Sequence, residues 1–292
     1  MTTQIVLHLM PYELDWFDWQ SKQIKIGSNF LEKSDKIILD VTLNLNLVVW
    51  EESKIPKEFF IEKFNNILLL WDWCEKIIKI DDKNIFVGCN DNRRDCARNT
   101  TADNILYLDS DLIFKPETLK YIISGASFVD SEYYIISPEI IKLWDNTWDV
   151  ITNKNYVNKP PSLSEYNSAD PFQLMSKHTE DPIQLKKINE FKFGGGWFNL
   201  LSSKLLKLID IPDSFGPYGP DDYFVMICCQ LMKNKRYDIS QYVLENIVVT
   251  ENNKYRNNIY KNYLTIINRQ KEFRTNAEKY FDEEILKFNN RI

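Results

Sequence analysis

Apolar residues in this chain fall first into short unbroken runs and then at helical spacing, and the two patterns alternate. Ile5 to Leu9 is a brief apolar run that breaks at Met10-Pro11-Tyr12, and Lys36 to Val41 is a second, with Asp40 near its end. Leu43 to Trp50 alternates apolar residues with Asn, then becomes fully apolar and extends the sheet. Asn84 to Cys89 is a third run, Ile105 to Leu108 a fourth, and Tyr133 to Ser137 a further one. Runs of this length bounded by turn residues predict buried strands. Between them, Glu13 to Gln20 (with Trp16, Phe17 and Trp19) reads as a first helix. A long helical pattern runs from Pro56 through about Ile80, with proline in the first turn where helices accept it. Asp91 to Asp103 and Pro116 to about Ser124 predict two more helices. The alternation predicts an α/β fold: a mixed, mostly parallel central sheet with helices on both faces.

The second half is less regular. Trp144 to Asp181 is rich in Asn, Pro and Ser and predicts a long loop region, the kind that carries lids and binding loops. Order resumes at Phe191-Lys192-Phe193, followed by Gly194-Gly195-Gly196-Trp197-Phe198. Ser202 is a plausible N-cap for a helix to Ile209. The turn-rich stretch Ser214 to Asp222 leads into an apolar helix, Tyr223 to Met232. From Ile259 onward the chain is charged, helical in pattern and expected to pack on the body. With no internal repeat or Ser/Gly linker, the expected organisation is one domain over residues 1–250, with halves 1–115 and 116–250, and a helical extension over 251–292.

Composition narrows the class. Hydrophobic residues make up 44% of the 292 residues and aromatics 14%, enough for a large core. The net charge of -6 argues against a general nucleic-acid binder, although Arg93-Arg94 with Arg98 could form a local basic patch. Cys74, Cys89, Cys96, Cys228 and Cys229 are odd in number and contain no CxxC pair, so free thiols in a reducing compartment are expected, with no zinc site. No leader and no apolar run of about 18 residues is visible, so the expected location is the cytoplasm, without a membrane span.

The chemistry concentrates at Ile105-Leu106-Tyr107-Leu108-Asp109-Ser110-Asp111. Four apolar residues run into two carboxylates spaced one apart. Parallel sheets place their chemistry just past the carboxyl ends of their strands. Two hard oxygen ligands there suit Mg²⁺ or Mn²⁺ carrying a phosphate-bearing substrate. Plainer roles stand beside this one. Asp109 and Asp111 could cap a turn, Asp221 and Asp222 could cap a helix, Arg98 could pair at the surface, and Trp197 could fill the core. His8 reads as structural, and His178 has no assigned role.

Three segments occur in order over roughly residues 1 to 235: Cys96-Ala97-Arg98-Asn99, Asp109-Ser110-Asp111, and Gly194 to Phe198 with the later doublet Asp221-Asp222. In these the chain resembles the GT-A fold glycosyltransferases, closest in style to family 2. The resemblance implies a GT-A-like, Rossmann-like sheet and transfer of a sugar, of the hexosyltransferase type, from a UDP- or GDP-sugar to a hydroxyl of a glycan, lipid-linked or protein acceptor, with inversion. It implies Mn²⁺ or Mg²⁺ held chiefly by Asp111, with Asp109 on the ribose or on the metal through water. Arg98 would sit near the nucleotide or order the loop around it, and Pro11, Tyr12 and Asp40 would hold the base. Gly195 and Gly196 would admit the donor sugar or acceptor closely, with Trp197 stacking on a sugar. Asp221 or Asp222, favoured in its charged form by the helix N-terminus, would take the acceptor proton. The chain departs from the family pattern in four places, one of them the lack of any histidine beyond His178, where some GT-A enzymes have a C-terminal metal-binding His. Asp40-Val41-Thr42 stands where a DDGS-type run is common, Pro220 stands where Glu often precedes the catalytic Asp, and no Gln-x-x-Arg-Trp occurs, which speaks against a processive synthase. The rival readings are a haloacid-dehalogenase-like Mg²⁺-dependent phosphatase, a sugar nucleotidyltransferase, and an inactive carbohydrate-binding protein of the same fold.

Overall fold

The structure, a computed structural model, describes residues 1–46, 55–82, 88–142, 184–188, 198–251 and 264–292. In chain order the strands are β1 (Thr2–Leu9), β2 (Lys36–Asn44), β3 (Glu75–Asp81), β4 (Asn104–Leu108), β5 (Leu112–Ile113), β6 (Tyr133–Lys142), β7 (Gln184–Ile188), β8 (Phe198–Ser202) and β9 (Ile239–Glu251). The helices are α1 (Leu14–Ser28), α2 (Lys57–Leu68), α3 (Cys89–Asn99), α4 (Thr118–Gly125), α5 (Ser203–Ile209), α6 (Asp221–Asn234), α7 (Leu264–Glu278) and α8 (Phe281–Arg291).

All nine strands join one mixed sheet in the order β3-β2-β1-β4-β8-β6-β9-β5, with β7 also paired to β9. β3, β2, β1, β4, β6 and β9 point one way; β8, β5 and β7 run against them. The mostly parallel α/β sheet expected from the sequence is therefore present. β1 shows why its sequence is a continuous apolar run. Ile5, Leu7 and Leu9 face one core and Val6 the other, so neither face meets water. The first core is roofed by α1, α2 and α4 through Phe17, Phe64 and Ile122. The second is roofed by α3, α5 and α6 through Ala97, Leu206 and Cys228. Phe288 of α8 and Ala277 of α7 are buried in that second core. Arg291 also donates to the carbonyls of Leu208 and Ile209 at the end of α5, at 2.7 and 2.8 Å.

Two expectations need correction. The helix expected from Pro56 to Ile80 stops at Leu68, turns through Leu69–Trp71, and gives way to β3. Trp71, Cys74, Ile77 and Ile78 continue the helical spacing of Phe60, Phe64 and Ile67, so period alone does not mark the change. The β-branched Ile77, Ile78 and Ile80 favour an extended chain. Likewise β2 does not end at Asp40 but runs on to Asn44. The expected strand over 84–89 lies outside the described residues, apart from Gly88 and Cys89, where α3 begins. The loop over 144–181, the stretch Phe191 to Phe193, Gly194 to Gly196, Trp197 and His178 also lie outside them.

The expected N-cap is present: Ser202 Oγ accepts from the Leu205 N–H at 3.3 Å. Ser202→Ala should cost about 1 kcal/mol, read as a lower urea midpoint at unchanged slope. Among the described residues no helix is long and apolar enough to cross a membrane.

Candidate active site

The parallel strands β1, β2, β3 and β4 end along one edge of the sheet. β1 passes directly into a 3-10 turn, Pro11–Glu13, so Pro11 and Tyr12 stand at that edge. β4 ends at Leu108, which places Asp109, Ser110 and Asp111 in the turn before β5. Gln20, wholly buried on α1, fixes the turn from below. Its amide donates to the carbonyls of Asp109 (2.8 Å) and Leu112 (3.3 Å).

Arg93, on the second turn of α3, organises the site. One guanidinium nitrogen donates to Asp109 Oδ1 at 2.7 Å and another to Asp221 Oδ2 at 3.0 Å. The guanidinium carbon lies 5.7 Å from the Tyr107 ring centroid, and the Tyr107 hydroxyl donates to the Arg93 carbonyl at 3.0 Å. The arginine is therefore held at both its backbone and its head, in a position where it is only 9% exposed. Asp109 and Asp221, far apart in sequence, share one cation.

Asp221 is buried at the first position of α6. With the Asn90 amide oriented to satisfy both of its neighbours, its nitrogen donates to Asp221 Oδ1 at 3.1 Å and its oxygen accepts from the Gly219 N–H at 2.8 Å. Both oxygens of Asp221 are thus held. Its carboxyl is nevertheless raised above the ordinary range, because burial outweighs the neighbouring Arg93. Asp222, half-buried beside it, is pushed up to about 6 by burial first and by the Asp221 charge second. The Tyr223 N–H donates to Asp222 Oδ1 at 2.7 Å. Cys89, at the first position of α3, feels Arg93, Asp221, Asp109 and Glu13, and burial pushes its thiol up to about 12.

The two helix starts are pressed together. Pro217 accepts from the Asn90 N–H at 3.2 Å. A Cβ on Gly88 would lie 1.8 Å from the Pro217 oxygen, so only glycine fits there.

Two residues expected in the site are elsewhere. Arg98 does not reach the turn at Asp109. It pairs with Asp210 at 2.6 Å and Asp213 at 2.8 Å, the plain surface role. Asp40 lies in mid-strand, opposite Val6 and Ile77. Gln4 donates to its Oδ2 at 2.9 Å, and Lys79 lies 3.3 Å from its Oδ1. The polar residues actually at the end of β2 are Asn44 and the following Asn46, whose backbone N–H donates to Asn44 Oδ1 at 3.0 Å. His8 lies 3.5 Å from Asn44. The sequence marks Arg93 only as one member of a local basic patch. The sign that it points inward was available in Ala97, four residues on and therefore on the same face of α3, which is buried against the sheet.

No model of a known protein family matches this chain, and no curated protein matches it. Among solved structures it is similar to S. aureus TarS 1-349, at 13% identity and a TM-score of 0.42, covering 83% of this chain and 60% of that one. It is similar to a mycobacterial protein at 13% identity and a TM-score of 0.43, covering 86% and 67%. S. aureus TarS 1-349 in complex with UDP gives 14% identity and a TM-score of 0.45, covering 100% and 71%. This chain thus spans about 60% of the length of the first of these structures.

Proposed function

We propose that this protein is a glycosyltransferase that moves a sugar from a nucleotide-diphosphate donor to a hydroxyl acceptor with inversion. The observation that carries the reading is the Arg93 bridge. It brings the Asp109-Ser110-Asp111 turn and the Asp221-Asp222 helix start together at the carboxyl edge of the sheet.

The donor set suits Mn²⁺ or Mg²⁺. Asp109 and Asp111 offer hard carboxylate oxygens, and among the described residues no group of three acidic, His or Cys side chains gathers to cage an ion. Such a cation would be bound by one or two carboxylates, with substrate phosphates and water completing its shell. Such an ion would neutralise the charge that develops on the departing diphosphate.

The protein's own groups divide the remaining work. Asp221, with both oxygens held, anchors Arg93. Asp222 takes the proton from the acceptor hydroxyl as that oxygen attacks the anomeric carbon. A carboxyl raised to about 6 is close to the working pH, where a base is most effective. The turn at Pro11 and Tyr12, with the amides of Asn44 and Asn46 at the end of β2, forms the wall for the base in place of Asp40.

The test is thermal stability with UDP, GDP and CMP, each with and without Mn²⁺, on wild type and Asp111→Ala. A nucleotide at a hundredfold its Kd should add about 2.7 kcal/mol. A shift that needs both nucleotide and Mn²⁺, and that Asp111→Ala abolishes, is the expected result and identifies the base. No shift with any nucleotide would overturn the reading and make a phosphatase assay the next step.

A further inference from the structure

We propose that the C-terminal helices α7 and α8 are a working part of this site, in which Phe281 is a positioning residue that holds the Asp221–Asp222 turn against Arg93. The proposal rests on the assignment of Asp222 as the proton acceptor.

The acidic doublet sits at the end of an irregular stretch. From Asp213 to Pro220 the only regular element is one 3-10 turn, Asp213–Phe215, and Gly216 follows at φ 61°. Little within such a segment fixes the direction in which α6 starts. It is gripped from two sides instead. On one side stands the beginning of α3, through the contacts of Asn90 and Gly88 with Pro217 and Gly219.

The other side is the C-terminal pair. The Phe281 ring stacks on Phe215 (6.0 Å between centroids, 7° between planes) and on Tyr223 (5.3 Å, 15°), and meets Phe224 edge-on at 6.2 Å. One ring therefore packs on Phe215, within the irregular stretch, and on the two residues directly after the doublet. Ser214 Oγ donates to Glu284 on α8 at 2.9 Å. A Cβ on Gly219 would lie 2.8 Å from the Ala277 Cβ on α7, so helix and turn are in close contact.

Phe281 covers one side of the second core and reaches from there to the residues around the doublet. Tyr223 is 46% exposed and Phe281 only partly buried, whereas Phe215 and Phe224 on the other side of the ring belong to the buried second core. Phe288 and Ala277, both buried, anchor the two helices as well. What the Phe281 stack adds is geometry. It ties both ends of the acidic turn to one rigid ring, and a base misplaced by about 1 Å can cost about a hundredfold in rate.

The experiment uses the full chain with Phe281→Ala, Phe281→Leu and Phe281→Tyr. The first readout is a carboxyl-carbon NMR titration of Asp222, whose charged surroundings are Asp221 on α6, Arg93 on α3 and Asp109 after β4. The second is Mn²⁺-dependent hydrolysis of UDP-glucose and GDP-mannose. In Phe281→Ala and Phe281→Leu the midpoint should fall by about one pH unit as the carboxyl gains water. Turnover should fall about tenfold or more, with KM within roughly twofold of wild type. Phe281→Tyr, which keeps the stack, should restore both. Should Phe281→Ala fail to fold, the Leu and Tyr variants carry the test. A folded Phe281→Leu protein with wild-type titration and turnover overturns the proposal. If wild type hydrolyses neither donor, the transferase reading is in question, while the titration still decides whether Phe281 positions the turn.

Discussion

Arg93→Ala is expected to destabilise the protein by about 3–5 kcal/mol, the usual cost of removing one partner from a buried ion pair. The reason lies in what remains. Asp221 is 4% exposed and would keep a carboxylate facing Asp109 and Asp222 with no cation between them. The Asp109 arm contributes less, because that side chain is 34% exposed and water screens it. A loss of this size is a large part of the stability of a typical domain. Urea unfolding should therefore show a much lower midpoint. Arg93→Lys should recover only part of the loss, since one ammonium cannot span two carboxylates as a planar guanidinium does. The double variant Arg93→Ala with Asp221→Asn should be more stable than Arg93→Ala alone, because the stranded charge is gone. A cycle that instead shows strict additivity would mean that the two side chains are not coupled in solution.

Asp222→Asn is expected to lower transfer by about 10²- to 10⁴-fold, the range for loss of a positioned base, with little change in donor binding. In wild type, turnover should rise with pH through a midpoint of about 6, because the base works as the carboxylate. Stability should move the opposite way. The folded carboxyl is raised above its unfolded value, so its stabilising share is fully present below the unfolded value, near 4. That share is lost as pH rises through about 6. Asp222→Asn should therefore be more stable than wild type at neutral pH, and the gap should close toward pH 4. A pH–rate profile and urea midpoints at pH 4 and 7 check both halves. An Asn variant with wild-type turnover would remove Asp222 from the base role.

The sequence carried the sheet well wherever burial on two faces forced continuous apolar runs, as in β1 and β4. It also placed Asp109 and Asp111 correctly after β4 and Asp221 at the start of α6, because strand ends and helix starts leave local marks. It failed where one pattern served two structures. The isoleucines of β3 keep a helical spacing, and Asp40 resembles a strand-end residue while its partners, Gln4 and Lys79, come from neighbouring strands. The three arginines of α3 show the same limit. Arg94 and Arg98, four apart, share the face toward Asp213, whereas Arg93 is turned about 100° away toward Asp109 and Asp221. Which arginine meets which aspartate depends on tertiary contacts that local spacing does not encode.

The position of β8 in the sheet governs the order in which the molecule can be assembled. It lies between β4 and β6, although both of those precede it in the chain. During synthesis the outer edge of β4 stays without its native neighbour until Phe198 to Ser202 has left the ribosome. An uncovered edge of this kind is a template for wrong partners, and pairings between distant segments close slowly. The Arg93 bridge forms later still, because it has to wait for Asp221. A nascent chain that stops short of α6 holds most of the strands but not Asp221 and Asp222, the second acidic half of the candidate site.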